Sequence, residues 1–364
     1  MLRSRRFWFG VVISLVFIAL FLYNTDFGEI RDAFTEANYA IAIASLGVYF
    51  VGLWVRTIRW QYLLRPVARV SAARLYPVVI IGLMANNIIP ARAGEIVRAW
   101  VLGERERVSK AAALGTIAVD RIFDGLTLVP MLVVVIVFAG NSERFPMPVV
   151  DWTINLVQLA AIMAVLFGIG LAMLVLLAFS HTWRDRIDQL VMRLTPARLR
   201  PSVEGLAHSF FAGLESLRSP VDLAVAWVMS TVSWLLEATM YYIVGIAFGL
   251  DVGFEHYLLG AAAANLAISI LASQGGIGPF ELVIKQTLIA ASVGESVATA
   301  YAIGLHTLVL LPVVALGLYF LGTMGLSLRE MFRRSSMESA PEGEAPAEPP
   351  EAVRAALREE AQGS

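Results

Sequence analysis

Asp120, Arg121 and Asp124 fall within a single apolar run, 111–140, of a 364-residue chain. Ionisable side chains in such a run are expensive to bury and usually mark a pathway or a site. Asp120 and Asp124 lie one helical turn apart on one face. Two carboxylates that close in a low dielectric resist sharing full negative charge, so one is expected to hold a proton. Arg121 can pair with Asp124, three residues on, which leaves Asp120 as the titrating member. Glu237 and His306 stand in two other apolar runs. Asp120, Asp124, Glu237 and His306 are therefore the candidates for proton coupling or gating. A plainer reading stays open: Arg121–Asp124 and Glu281–Lys285 are structural pairs that hold helices in register, and His306 is structural.

A second kind of chemistry comes from two interrupted apolar stretches. Residues 76–102 are broken at Pro90-Ala91-Arg92-Ala93-Gly94, and residues 257–293 at Gln274-Gly275-Gly276-Ile277-Gly278-Pro279. In each, a half-helix restarts near Ala93 or Pro279, where proline at the first turn is well tolerated. Its free N–H groups and positive dipole end would face the interior, an arrangement that binds phosphate or carboxylate. Arg92, Arg98 and Lys285 would add full positive charge nearby, and Arg121 joins them in the candidate substrate-binding set. Asn87, Gly94, Glu95 and Glu281 flank the breaks and complete the candidate substrate-binding set with Gly275, Gly276 and Gly278. Those three glycines would allow close backbone approach, or would simply make the tight turn.

Other chemistries find no support. Cysteine is absent, which excludes disulfides, thiolate catalysis and Cys-ligated metals. No Walker A sequence, Gly-x-Ser-x-Gly elbow or metal-ligand spacing is present, so neither a cofactor nor a metal is expected. Nucleic acid is not an expected partner.

The elements that must position these residues are helices in lipid. The chain is 58% hydrophobic and 16% charged, against about 25% charged in an ordinary soluble domain. Six full spans are predicted at 7–23, 39–55, 111–140, 152–180, 221–250 and 297–322, each near the ~20 residues that cross a bilayer. The basic start before residue 7, with no cleavage site after the apolar run, fits a signal anchor better than a signal peptide. Arg56, Arg59, Arg65, Arg69 and Arg74 are placed in the loop after the second span. Together with the cations at 3–6, 105–110, 184–218 and 329–334, they put both termini in the cytoplasm of a multi-pass plasma (inner) membrane protein. For that alternation to close, each broken stretch must return to the side it entered. The fold class is thus an all-α polytopic membrane protein with six full spans plus two re-entrant helical hairpins. The two units, about 39–140 and 221–323, run in opposite directions and read as inverted repeats. With Glu95 and Glu281 as register, Asp120 and His306 stand at the same offset, roughly 13 Å into their spans and near the midplane. A cytoplasmic linker at about 181–220 places Ile187, Leu190, Val191 and Leu194 on one helical face, and Leu206, Phe210, Leu214 and Leu217 on another. It would lie in the headgroup region or pack on the bundle. The membrane domain is expected to fill 1–326, and residues 327–364, rich in Pro, Glu and Ala, read as a disordered cytoplasmic tail.

The stretch Asn87-Ile88-Ile89-Pro90-Ala91-Arg92-Ala93-Gly94-Glu95-Ile96-Val97-Arg98-Ala99, followed by Val119-Asp120-Arg121-Ile122-Phe123-Asp124, resembles one signature of the lysylphosphatidylglycerol synthase transmembrane (flippase-like) family. Gln274 to Glu281, followed by Ala300-Tyr301-Ala302 and His306, resembles a second. The resemblance covers about residues 7–322 and implies a domain that moves lipids with charged or glycosylated headgroups between leaflets. Bifunctional members carry a fused aminoacyl-transferase; no such domain follows Gly322, so synthase activity is not expected here. The expected function is that of a lipid transporter for anionic, aminoacylated or polyprenyl-phosphate-linked lipids, and not that of an enzyme. Alternatives are an accessory subunit that binds lipid for a separate transferase or glycosyltransferase, and a membrane-embedded lipid-modifying enzyme that uses the buried carboxylates as acid and base.

Overall fold

A computed structural model describes residues 21, 26–89, 93–138, 144–146, 153–195, 200–270, 274–328 and 331. The first predicted span apart from Phe21, Pro90 to Arg92, and the tail from 332 lie outside the described residues.

Asp26 caps α1 (Phe27–Glu36) by accepting the Gly28 N–H at 2.7 Å. Asn38 caps α2 (Tyr39–Leu64) through the Ile41 N–H. α2 runs nine residues beyond the end predicted at Val55. No glycine or proline interrupts 56–64, and Pro66 then stops the helix. Arg56 and Arg59 therefore sit inside α2, both buried, and not in a loop. This corrects the loop assignment, while Arg65, Arg69 and Arg74 remain beyond the helix.

α3 (Ala72–Ile88) and α4 (Gly94–Glu106) pack on each other and flank the first break. α5 (Lys110–Phe138) follows. A two-stranded ladder, β1 (Arg144–Pro146) with β2 (Thr153–Asn155), precedes α6 (Leu156–Phe179). The linker forms α7 (His181–Leu194), α8 (Arg200–Gly213) and a 3-10 turn, Leu214–Arg218. α9 (Pro220–Ala247) and α10 (Phe254–Ile270) lead to a second 3-10 turn, Gln274–Gly276, then α11 (Pro279–Ala290) and α12 (Glu295–Thr323).

The protein is helical, as the sequence predicts. Among the described residues, four segments are long and apolar enough to cross a membrane: α2, residues 161–179 of α6, α9 and α12. α5 has 29 residues but carries Asp120, Arg121 and Asp124 midway. The paired helices are shorter: α3 and α10 have 17 residues each, α4 13 and α11 12. Seventeen residues rise ~26 Å, less than the ~30 Å hydrocarbon core.

Among the described elements, α2 and α9 make the most extensive contact. Each broken pair also leans on a long helix from the other half: α3 packs on α12, and α10 on α5. α3 and α4 cross at two glycines. A Cβ on Gly94 would lie 2.2 Å from the Gly82 carbonyl oxygen, and one on Gly82 would lie 2.3 Å from Arg98 Cγ. The two helices of the linker differ in how they pack. α8 crosses α5 closely, since a Cβ on Gly213 would meet the Ala112 carbonyl at 2.3 Å, and Leu214 and Leu217 are buried. α7 leaves Trp183 and Leu190 exposed.

Candidate functional site

The interior of the bundle holds a network of charges. From α2, Arg59 donates to Asp120 (Nε to Oδ1, 2.8 Å) and to Asp124 (Nη1 to Oδ1, 2.7 Å) on α5, and to Ser230 Oγ on α9 at 2.8 Å. Arg98 on α4 donates to Asp120 Oδ2 at 3.1 Å. Arg121 reaches Asp120 Oδ2 at 3.2 Å and Asp124 Oδ2 at 3.1 Å. The side chains of Arg59 and Asp120 are fully buried. Such burial is tolerated only where every charge is paired and hydrogen-bonded. Trp60 stacks under the Arg98 guanidinium at 4.0 Å and Trp234 under that of Arg56 at 4.4 Å, filling what would otherwise be unfavourable space around the cations.

A second group adjoins it. Arg56 Nη2 donates to Glu237 Oε2 at 3.1 Å, and Glu237 Oε1 accepts from Tyr241 Oη at 3.2 Å and Asn265 Nδ2 at 3.1 Å. These partners join α2, α9 and α10. A third group joins the second break to α12. His306 Nδ1 lies 2.6 Å from Glu281 Oε1, and Nε2 lies 3.1 Å from the Gly275 carbonyl oxygen. Glu281 Oε2 accepts the Gly278 N–H at 2.7 Å, capping α11 through its third residue.

These groups surround a cavity of about 440 Å³. Arg56, Arg121, Asp124 and Glu237 form one side of its wall; Asn86, Asn87 and Glu95 come from the first break; Asn265, Ser269, Gly275 and His306 come from the second half. Tyr49, Tyr241, Trp234, Phe167 and Phe280 supply aromatic surface. The cavity thus draws on both halves of the chain.

Of the sequence-predicted residues, the structure brings Asn87, Glu95, Arg121, Asp124, Glu237, Gly275 and His306 to this cavity. Arg98 and Asp120 form the buried layer behind it. Arg92 lies outside the described residues. Lys285, expected in the substrate-binding set, is corrected: its buried ammonium donates to the Phe21 carbonyl at 2.8 Å and pairs with Glu295 at 2.8 Å, and it does not line the cavity. Glu281 is instead taken by His306 and the cap. Gly94 is a crossing point of two helices, with its N–H held by Asn86 Oδ1 at 2.8 Å. Gly275, Gly276 and Gly278 all have positive φ (64°, 78° and 96°), so the turn itself requires them. The pairing of Arg121 with Asp124 is present, but the sequence reading missed Arg59, and it did not foresee that Arg98 reaches Asp120. Both Asp120 oxygens accept from guanidinium groups, which removes the ground for leaving a proton there. The carboxylates are matched by arginines, and Glu95 adds a further negative group at the rim. The cavity is therefore charge-balanced and not a bare cationic cradle. Asn86, Asn265 and Ser269 were also missed; nothing but their membership of the broken stretches marks them in the sequence.

A helical membrane protein with a buried ion network around an interior polar cavity is the class that fold and site define. The chain belongs to the family described as the lysylphosphatidylglycerol synthase TM region, which it matches over residues 7–317. It is 25% identical over 335 residues to a UPF0104 membrane protein of Methanothermobacter thermautotrophicus, covering 88% of this chain and 96% of that one. A second UPF0104 membrane protein of the same organism is also 25% identical, over 87% of this chain and 92% of that one. The glycosyltransferase AglD of Haloferax volcanii is 25% identical over 81% of this chain, which spans 50% of AglD. No solved structure matches.

Proposed function

We propose that the protein moves lipid headgroups between leaflets of the plasma (inner) membrane through the interior cavity, the acyl chains remaining in lipid. The observation that carries this is a polar, ion-paired cavity whose wall is contributed by both halves of a membrane-embedded bundle. A lipid presents a polar head that such a cavity can receive, and chains that stay outside among the apolar helices. The reciprocal packing of α3 on α12 and α10 on α5 supports two inverted repeats, each with a re-entrant hairpin. Its substrates would be anionic, aminoacylated or polyprenyl-phosphate-linked lipids. Balanced charges, amides and aromatic rings favour a headgroup with hydrogen-bonding groups beside its phosphate.

The test uses purified protein in liposomes with a fluorescent lipid of each headgroup class. Arg121→Ala, which loses the contacts to Asp120 and Asp124, and Glu237→Gln, which loses the ion pair with Arg56, are expected to slow translocation by roughly tenfold or more. Wild-type rates in both variants would remove the cavity from the pathway. The Haloferax match favours a second reading, a lipid-binding subunit that serves a separate transferase. Lipid that co-purifies without any translocation by the protein alone would select it.

Cytoplasmic termini and the two hairpins are tested by single cysteines, since the chain has none of its own. A cysteine at Ser109, between α4 and α5, should label only after permeabilisation, and one at Ser142 from outside. External labelling at Ser109 would overturn the topology.

A further inference from the structure

His306 faces two hydrogen-bond acceptors. The Gly275 carbonyl has no proton to give, so at 3.1 Å the proton of that bond must sit on Nε2. A proton must also lie between Nδ1 and Glu281 Oε1 at 2.6 Å. A neutral imidazole carries one N–H, and an ionised carboxylate carries none. The unit therefore holds one proton more than those two forms supply together. Whether imidazolium faces carboxylate or imidazole faces carboxylic acid, the pair is electrically neutral, which suits its burial.

We propose that Glu281, His306 and the Gly275 carbonyl form a proton-binding site whose occupancy closes the second break against α12. Loss of the shared proton leaves a net negative pair and one lone pair aimed at an acceptor oxygen. Either the Glu281 contact or the Gly275 contact must then open. Gly275 lies in a left-handed turn beside the end of α3, where a Cβ would come 3.4 Å from the Asn87 carbonyl. Opening the clasp thus frees the segment where the two breaks meet, and Asn87, Gly275 and His306 all line the cavity. Phe280 packs on the imidazole with ring centroids 4.5 Å apart, so the ring is held from a second side. The other ionisable groups on the cavity wall are Tyr49 and Arg56 of α2, Glu95 of α4, Arg121 and Asp124 of α5, and Glu237 and Tyr241 of α9. Arg56, Arg121, Asp124, Glu237 and Tyr241 are engaged with one another or with Asp120, and Glu95 accepts from Asn86. The Glu281–His306 unit differs from these in that its bonding pattern requires one proton beyond the ordinary forms of its two side chains.

The site stands independently of lipid movement, and its test contains no lipid substrate. Amide exchange of peptides covering 274–281 is measured on the full chain in detergent over about pH 5–9. Rates are corrected for the intrinsic pH dependence and referred to peptides of α2 and α9. In wild type, protection of the segment should fall by roughly tenfold as the pH rises, the equivalent of one charge-assisted hydrogen bond. Glu281→Gln should hold protection high at every pH: its amide oxygen still accepts the Gly278 N–H while its NH2 donates to Nδ1. His306→Gln should show a flat profile, since the glutamine cannot titrate. A flat wild-type profile, or a wild-type step retained in Glu281→Gln, would overturn the proposal. If His306→Gln does not fold, the wild-type and Glu281→Gln profiles still decide it.

Discussion

Asp120→Asn is expected to destabilise the protein by about 3–5 kcal/mol, the range for removing one partner of a buried ion pair. Asp120 is fully buried and receives Arg59, Arg98 and Arg121. The substitution preserves shape, but it removes the negative charge and turns an NH2 group towards guanidinium donors. One carboxylate, Asp124, would then face Arg59 and Arg121, and the buried Arg98 would lose its ionic partner. The control is Arg74→Ala, which removes an exposed bridge to Glu106 and should change stability by no more than ~1 kcal/mol. Thermal unfolding in detergent measures both. Equal effects would mean that the buried network contributes no more than a surface pair.

Gly94→Ala is expected to be the most damaging of the small substitutions. The added methyl would meet the Gly82 carbonyl at 2.2 Å and the Asn86 side chain at 2.5 Å. The first contact is with backbone, so no rotamer change relieves it. α4 must back away from α3, carrying Arg98 from Asp120 and opening the wall at Glu95. Overpacking of this kind costs about 1–3 kcal/mol, and the displaced ion pair adds to it. Transport in liposomes should fall with stability. Gly47→Ala and Gly168→Ala, where nothing lies within 4 Å, should be neutral or slightly stabilising, by up to ~1 kcal/mol. A Gly94→Ala protein as stable as these would show that the α3–α4 crossing is looser than the geometry describes.

The helices, the two breaks and the Arg121–Asp124 pair were legible because apolar runs, glycine-rich interruptions and three-residue spacing are local signals. Arg56 and Arg59 were not, because the positive-inside rule assigns every arginine between apolar runs to a loop. A signal did exist: 56–64 has no helix breaker, and Arg56, Arg59, Trp60 and Leu63 continue the buried face of Gly52 and Leu53. Lys285 joined the substrate set through its position just past the second break, but its ammonium meets Phe21 and Glu295, while the Glu281 carboxylate is taken by His306 and the cap. The capping pattern Gly278-Pro279-Phe280-Glu281 competes for that carboxylate and could have been read as such. Asp120 was misjudged because its partners Arg59 and Arg98 lie 61 and 22 residues away, and no local pattern reports such a meeting.

The placement of Arg56 and Arg59 in α2 also sets an order of assembly. α2 is synthesised well before Glu237, which follows Arg56 by 181 residues. At about 5–20 residues per second, translation separates them by roughly ten to forty seconds. Arg59 meets Asp120 after only 61 residues, but Arg56 spends the whole interval in a membrane-inserting helix, where an arginine costs about 2.5–3.5 kcal/mol at mid-helix. The apolar remainder of α2 offsets this, and the long arginine stems let the charges reach for water. Arg56 thus gains its carboxylate only when α9 arrives beside the helix that has been waiting for it, and α10 and α12 follow to complete the cavity wall.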